Sequence, residues 1–195
     1  MTRRSWPRAD VLTLRWAVIG AFAIIYLFWG GTFLALRYAV AEAPPLLTIA
    51  TRCIGGALVL YAWLSARRKL GPTTAPQWLA SAIAGAFLFV GCHSVLAGAE
   101  QRVSSGQAAL YMSTTPLWMV LLSSWRERRM PHRLVLAGLV LGVAGVALLT
   151  GGDGAGTGSM SDRLALLGGG LSWAAGSLIG RDGRKPRSVA KSAAM

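Results

Sequence analysis

Apolar residues run almost without interruption through six stretches of this chain, about 16–36, 46–66, 78–98, 106–125, 134–150 and 164–180. Each is about 17–21 residues long, which at a helical rise of about 1.5 Å per residue matches a hydrocarbon layer of about 30 Å. Polar residues gather in the connections 38–45, 67–77, 99–105 and 126–133, and in one Gly-rich stretch, 151–161. Apolar runs of this length predict transmembrane helices, because backbone amides and carbonyls in lipid must be satisfied within their own segment. The short links make neighbouring helices antiparallel, and Pro44-Pro45, Gly71-Pro72 and Pro131 mark helix boundaries. The predicted fold is all-α, a polytopic transmembrane helix bundle of six spans.

Positive charge falls into every second gap. Arg3, Arg4, Arg8 and Arg15 precede the first span, and Arg67, Arg68 and Lys69 follow the second. Arg126, Arg128, Arg129 and Arg133 follow the fourth span, and a block from Arg181 to Lys191 follows the sixth. The intervening gaps hold only Arg37, Arg102 and Arg163. Lys and Arg resist translocation, so the rich gaps and both termini are expected in the cytoplasm. A net charge of +13 would suit a nucleic-acid binder, but the chain is 54% hydrophobic and its basic residues sit in short blocks beside apolar spans. The charge therefore reports topology and attraction to anionic lipid, with the bilayer as partner and no nucleic acid. The first stretch is too long for a signal-peptide core and no small-x-small site follows it, so it is expected to stay.

Candidate chemistry lies inside the spans. Arg52 sits about six residues into the second, roughly 9 Å along the helix. It is expected either to snorkel to headgroups or to face a polar cavity, with Glu42 or Glu100 as acidic partners. His93 could bind solute, relay protons or hydrogen-bond a neighbouring helix. The fourth span places hydroxyls at Tyr111, Ser113, Thr114 and Thr115 just before Pro116. That proline frees backbone carbonyls, which are met either by back-bonding hydroxyls or in a kinked pocket with Tyr111, Met112 and Trp118. Trp29, Thr32 and Phe33, with Trp173, are the deep aromatic and polar positions. Cys53 and Cys92 show neither metal nor redox spacing and read as small buried apolar residues. No metal site is expected. Gly138-x-x-x-Gly142 and Gly176-x-x-x-Gly180 are expected in close internal helix packing, with a dimer interface as the alternative.

An intramembrane serine protease would need a Gly-x-Ser-Gly turn followed by a histidine on a later helix. Here Val103-Ser104-Ser105-Gly106 lacks the first glycine and His93 precedes it, so no enzyme is expected. A repeat crosses the Gly-rich stretch: residues 27–37 read LFWGGTFLALR and residues 171–181 read LSWAAGSLIGR. The copies lie five helices apart, and an odd number inverts the second, an arrangement found in transporters.

These motifs, with FWGGTFLALRYAVAEAPPLLTIATR and AEQRVSSGQAALYMSTTPLW, resemble EamA-type permeases of the drug/metabolite transporter superfamily over about residues 17–195. The resemblance implies ten helices in two inverted five-helix repeats. It also implies cytoplasmic termini, residence in the inner (plasma) membrane, and a central cavity for alternating-access export of metabolites, amino acids or drugs, with no cofactor. Trp29, Gly30, Thr32 and Phe33 match its first-helix motif, and Arg52 the arginine of the second. Ala108, Ser113 and Pro116 match the fourth helix, and Ser172-Trp173 the opening of the second repeat. The expected solute pathway is Trp29, Thr32, Phe33, Arg52, His93, Tyr111, Met112, Thr115, Pro116 and Trp173. By this reading residues 1–150 are one five-helix repeat with its tail. Residues 151–163 are an outer loop, and residues 164–195 are the first helix of a second repeat in an incomplete chain. Such a chain is expected to pair with its missing helices or as a homodimer. The alternative is a membrane scaffold subunit without its own pore.

Overall fold

The computed structural model describes residues 11–68, 72–150 and 158–182. The basic residues Arg3, Arg4, Arg8 and Lys69, the Gly-rich positions 151–157 and the block from Arg184 to Lys191 lie outside them. Every regular element among the described residues is helical: α1 (Val11–Glu42), α2 (Pro45–Ala66), α3 (Ala75–Ala99), α4 (Ser105–Met112), α5 (Thr115–Glu127), α6 (Arg133–Thr150) and α7 (Met160–Asp182). The all-α membrane bundle expected from the sequence is the fold observed. Among the described residues three helices are both long and apolar enough to cross a membrane, Leu14–Glu42, Pro45–Ala66 and Ala75–Ala99. The fourth expected span is divided between α4 and α5.

The boundaries follow local chemistry. Helix α1 runs beyond residue 36 to Glu42, so the expected 38–45 connection shrinks to Ala43 and Pro44. Pro45 then opens α2, where a missing amide donor leaves no gap. Two basic gaps begin at left-handed residues, Arg68 (φ 50°) after α2 and Arg128 (φ 51°) after α5. Glycine is the usual occupant of such caps; arginine accepts the strain and places a cation at the negative end of the helix dipole.

Two irregularities shape the interior. In α3, residues Ala86–His93 widen into a π-helical segment. The fourth span breaks at Ser113 and Thr114, so that Pro116 lies in the first turn of α5 rather than inside a longer helix. The carbonyls before that break are bonded locally, those of Leu110 and Tyr111 also by the backbone amides of Ser113 and Thr114. Ser113 donates its hydroxyl to Leu110 (2.6 Å), Thr114 to Tyr111 (2.7 Å) and Thr115 to Met112 (2.6 Å). The hydroxyls back-bond as one sequence reading expected, and the break they satisfy also borders a cavity, as the other expected.

Helix α7 is the hub, packed on α3, α4 and α5. It meets the π segment at two places with no room for side chains. A Cβ at Gly176 would lie 2.9 Å from Phe87 Cβ and 3.1 Å from the Ala84 carbonyl. A Cβ at Gly91 would lie 2.1 Å from Ser172 Oγ. There Ser172 donates its hydroxyl to the Phe87 carbonyl at 2.8 Å. Gly176 thus packs internally as expected, whereas a Cβ at Gly138 or Gly142 would meet open space. The second glycine pair instead borders a shallow cleft of about 220 Å³ between α5 and α6. One motif gives two outcomes because α6 touches the bundle only lightly.

The main buried cluster lies at one end of the bundle. It joins Leu36 and Val40 of α1, Ile49 of α2, Leu96 and Ala97 of α3, Tyr111 of α4 and Leu166 of α7. Polar ties close the same end. Arg37 reaches from α1 to donate to the carbonyls of Glu100 and Val103, the latter at 2.9 Å. Arg102 pairs with Asp162 at 2.6 Å, and Asp162 accepts from the Ser159 amide (3.1 Å) and hydroxyl (2.7 Å) to cap α7. Glu100 is fully buried here, and neither carboxylate oxygen has a hydrogen-bond partner among the described residues.

Burial pushes the Glu100 carboxyl up from its ordinary 4.5 to about 7, against the opposing pull of the Arg37 guanidinium. The folded chain therefore keeps a proton that the unfolded chain loses above about 4.5, and stability contributed at this site falls as pH rises from there to about 7. Glu100→Gln should reduce the loss of thermal stability in detergent between pH 5 and pH 8. An equal loss in both proteins would contradict this. At the helix contact, Gly176→Val should destabilise by about 1–3 kcal/mol through overpacking. Gly138→Ala should be neutral or slightly stabilising, since its site is open and alanine favours helix. Thermal unfolding of the two variants in one detergent measures the contrast.

Candidate functional site

Between α1, α2, α3, the α4–α5 break and α7 lies a cavity of about 860 Å³. Of the ten residues picked from the sequence, Trp29, Thr32, Phe33, Arg52, His93, Met112, Thr115, Pro116 and Trp173 line it. Tyr111 does not. It lies just before the break and packs into the buried cluster with Leu36 and Leu166. The lining also includes Ile25, Phe28, Phe89, Cys92 and Met119. Helical spacing could have found several of these: Ile25 and Phe28 share a face with Trp29 and Phe33, and Phe89 lies one turn before His93.

Aromatic rings form one continuous wall. Trp29 meets Trp173 edge-on at 5.8 Å (79° between planes), His93 lies 5.3 Å from Trp173, and Phe89 lies 5.4 Å from His93. Offset and edge-on arrangements of this kind favour the ring quadrupoles and fix the wall without a polar scaffold. The wall joins α1, α3 and α7, so its shape depends on how α7 seats against α3. His93 donates its Nδ1 hydrogen to the Leu88 carbonyl at 2.9 Å, a bond spanning five residues that the π segment makes reachable. A carbonyl can only accept, so the neutral ring keeps its Nε2 lone pair, which has no partner among the described residues. Cys92 lies beside it, with Sγ 3.8 Å from Met112 Sδ.

Polarity in the cavity is sparse. The Thr32 hydroxyl donates to Phe28 (2.8 Å), and those of Ser113 and Thr115 are committed to α4 carbonyls. Arg52 is exposed and makes no hydrogen bond or ion pair with any described residue. The acidic partners expected for it are elsewhere: Glu100 is sealed in the buried end beside Arg37, and Glu42 is exposed at the end of α1. Among the described residues no Asp or Glu lines the cavity. Among the described residues no three His, Cys, Asp or Glu gather as metal ligands.

The family model for EamA-like transporters matches residues 15–151. The inner membrane transporter YedA of Escherichia coli K12 is 31% identical over 163 residues, covering 84% of this chain and 53% of the relative. The transporter YvbV of Bacillus subtilis is 32% identical over 167 residues, with the same coverage of 84% and 53%. Protein PagO of Salmonella typhimurium is 29% identical over 124 residues, 63% of this chain and 40% of PagO. The chain thus spans about half the length of the curated relatives it matches best in coverage. No solved structure matches. With its helical bundle, its apolar membrane-length helices and a family match over most of its length, the chain belongs to the EamA-like transporter family.

Proposed function

We propose that this chain forms the first half of an inner-membrane permease, and that the 860 Å³ cavity is its solute-binding chamber. The observation carrying this reading is the convergence of five separate segments on one aromatic-lined space. Trp29 comes from α1, Arg52 from α2, His93 from α3, Pro116 from α5 and Trp173 from α7. Concave, largely apolar sites with a few convergent polar groups are the usual form of a small-molecule site. In a membrane, irregular backbone such as the π segment and the α4–α5 break is tolerated where it is buried or borders a cavity.

Transport needs the chamber to open to each side in turn. The basic gaps orient the Arg67 and Arg126 ends toward the cytoplasm, which puts the Arg37–Glu100 end outside. The family match, ending at residue 151, fits a five-helix unit in residues 1–150. Helix α7, carrying the second Trp motif, then begins an inverted partner unit. A complete cycle requires the remaining helices of that partner, supplied by continuation of the polypeptide or by a second copy.

Efflux of a panel of small metabolites and drugs from cells tests the proposal by comparing the chain with a version extended by the second half of YedA. The extended protein should export at least one compound, and Trp29→Ala or Trp173→Ala in it should reduce that export about ten-fold or more. Export of nothing by the extended protein, or full export by both variants, would overturn the assignment of the chamber. Equal export by the unextended chain would assign the completing helices to a second copy rather than to continuation of the polypeptide.

A further inference from the structure

The chamber has a marked charge asymmetry. Arg52 is its permanent cation, and no carboxylate stands among its described lining residues. A guanidinium within a membrane segment is costly unless it meets an opposite charge or water. None of the described acidic residues at that end lines the chamber: Glu100 is buried in another cluster, Asp162 is paired with Arg102, and Glu42 is exposed at the end of α1. The neighbouring hydroxyls of Thr32, Ser113 and Thr115 spend their hydrogens on backbone carbonyls. They therefore offer lone pairs rather than donors, and the guanidinium is the strong hydrogen-bond donor facing the space. Around it stand Trp29, Trp173, Phe33, Phe89 and Met112, large apolar surfaces suited to a flat or branched hydrocarbon body.

We propose that the chamber selects amphipathic organic anions, in which a carboxylate pairs with Arg52 and an aromatic or branched apolar body lies against the Trp29–Trp173 wall. This rests on the reading of the cavity as a solute chamber and names its substrate class. Arginine's planar fork suits a carboxylate in a bidentate arrangement, and a water-poor setting strengthens such a pair. A cation could gain from the aromatic faces, but it would share the chamber with Arg52 and find no acidic residue there. A zwitterion would bring an ammonium with no counter-charge to receive it. The preferred order is therefore anion, then neutral or zwitterionic compound, then cation.

Equilibrium binding to the purified full chain in detergent at pH 7.5 tests this with four matched probes: 3-phenylpropionate, 3-phenylpropanol, phenylalanine and 3-phenylpropylamine. The propionate should bind about ten-fold or more tighter than the alcohol and the amine. Arg52→Gln should erase that preference, weakening the propionate about ten-fold or more and the alcohol far less, and Arg52→Lys should keep part of it. Arg52 has no bonded partner among the described residues, and size-exclusion and thermal profiles matching the parent will show that the variants fold. The amine or phenylalanine binding as tightly as the propionate would overturn the proposal. So would a preference that survives Arg52→Gln, or failure of all four probes to bind. Because this readout is binding, its failure is separable from failure of the efflux experiment, which uses other compounds and the Trp variants.

Discussion

The arrangement depends on the close seating of α7 against the π segment of α3. Lipid tails are as apolar as the side chains they surround, so burying hydrocarbon does little to hold two membrane helices together. Close approach and interhelical hydrogen bonds must supply the difference. Gly176 and Gly91 provide the approach from opposite helices, and Ser172 adds a hydrogen bond to the Phe87 carbonyl. The Phe87 carbonyl that accepts it lies within the π segment, so this hydrogen bond ties the irregular, widened stretch of α3 to α7. The same widening lets His93 reach the Leu88 carbonyl and sets its ring against Trp173. Helix packing and cavity shape are consequences of one irregularity.

The second irregularity follows a related logic. Pro116 cannot donate to the carbonyl a turn earlier, and a continuous helix would leave Met112 unsatisfied in an apolar setting. Three consecutive hydroxyls, at Ser113, Thr114 and Thr115, each turn back onto a carbonyl three residues before. The break is thereby internally satisfied, and it turns a would-be straight span into a corner of the chamber. At the far end of the bundle polarity is organised differently. Arg37 caps the carbonyls of Glu100 and Val103, and Arg102 binds the capped start of α7 at Asp162. These ties join three elements just beyond the apolar cluster and leave the Glu100 carboxyl buried there without a hydrogen-bond partner among the described residues.

Much of this was legible in the sequence, and the reasons differ by residue. Span-length apolar runs and prolines at their edges announced the helices, because hydrocarbon thickness and the missing amide of proline act locally. Trp29, Arg52, His93 and Trp173 stood out because large polar or aromatic groups inside such runs are costly to place at random. The π segment had no local signature, since the run AFLFVGCH would suit an ordinary helix; in the fold it packs on α7. Gly138-x-x-x-Gly142 and Gly176-x-x-x-Gly180 read alike, yet only tertiary contact decides which is pressed against a neighbour. Tyr111 was drawn into the pathway by its hydroxyl neighbours, but it packs into the buried cluster while the next residue, Met112, lines the cavity. The acidic partner expected for Arg52 failed because tertiary packing decides it: Glu100 is buried beside Arg37 rather than facing the cavity.

The seating of α7 on α3 can be measured in the membrane. A Cβ at Gly91 would lie 3.2 Å from that of Ser172, within a few tenths of an ångström of the about 3.5–4.5 Å that a disulfide spans. In a background with Cys53 and Cys92 changed to Ser, the Gly91→Cys, Ser172→Cys chain carries a protease site within residues 151–157. After mild oxidation in native membranes and cleavage, the two fragments should migrate together and separate on reduction. Fragments that separate without reductant, with protein still in the membrane, would contradict the packing on which the chamber rests.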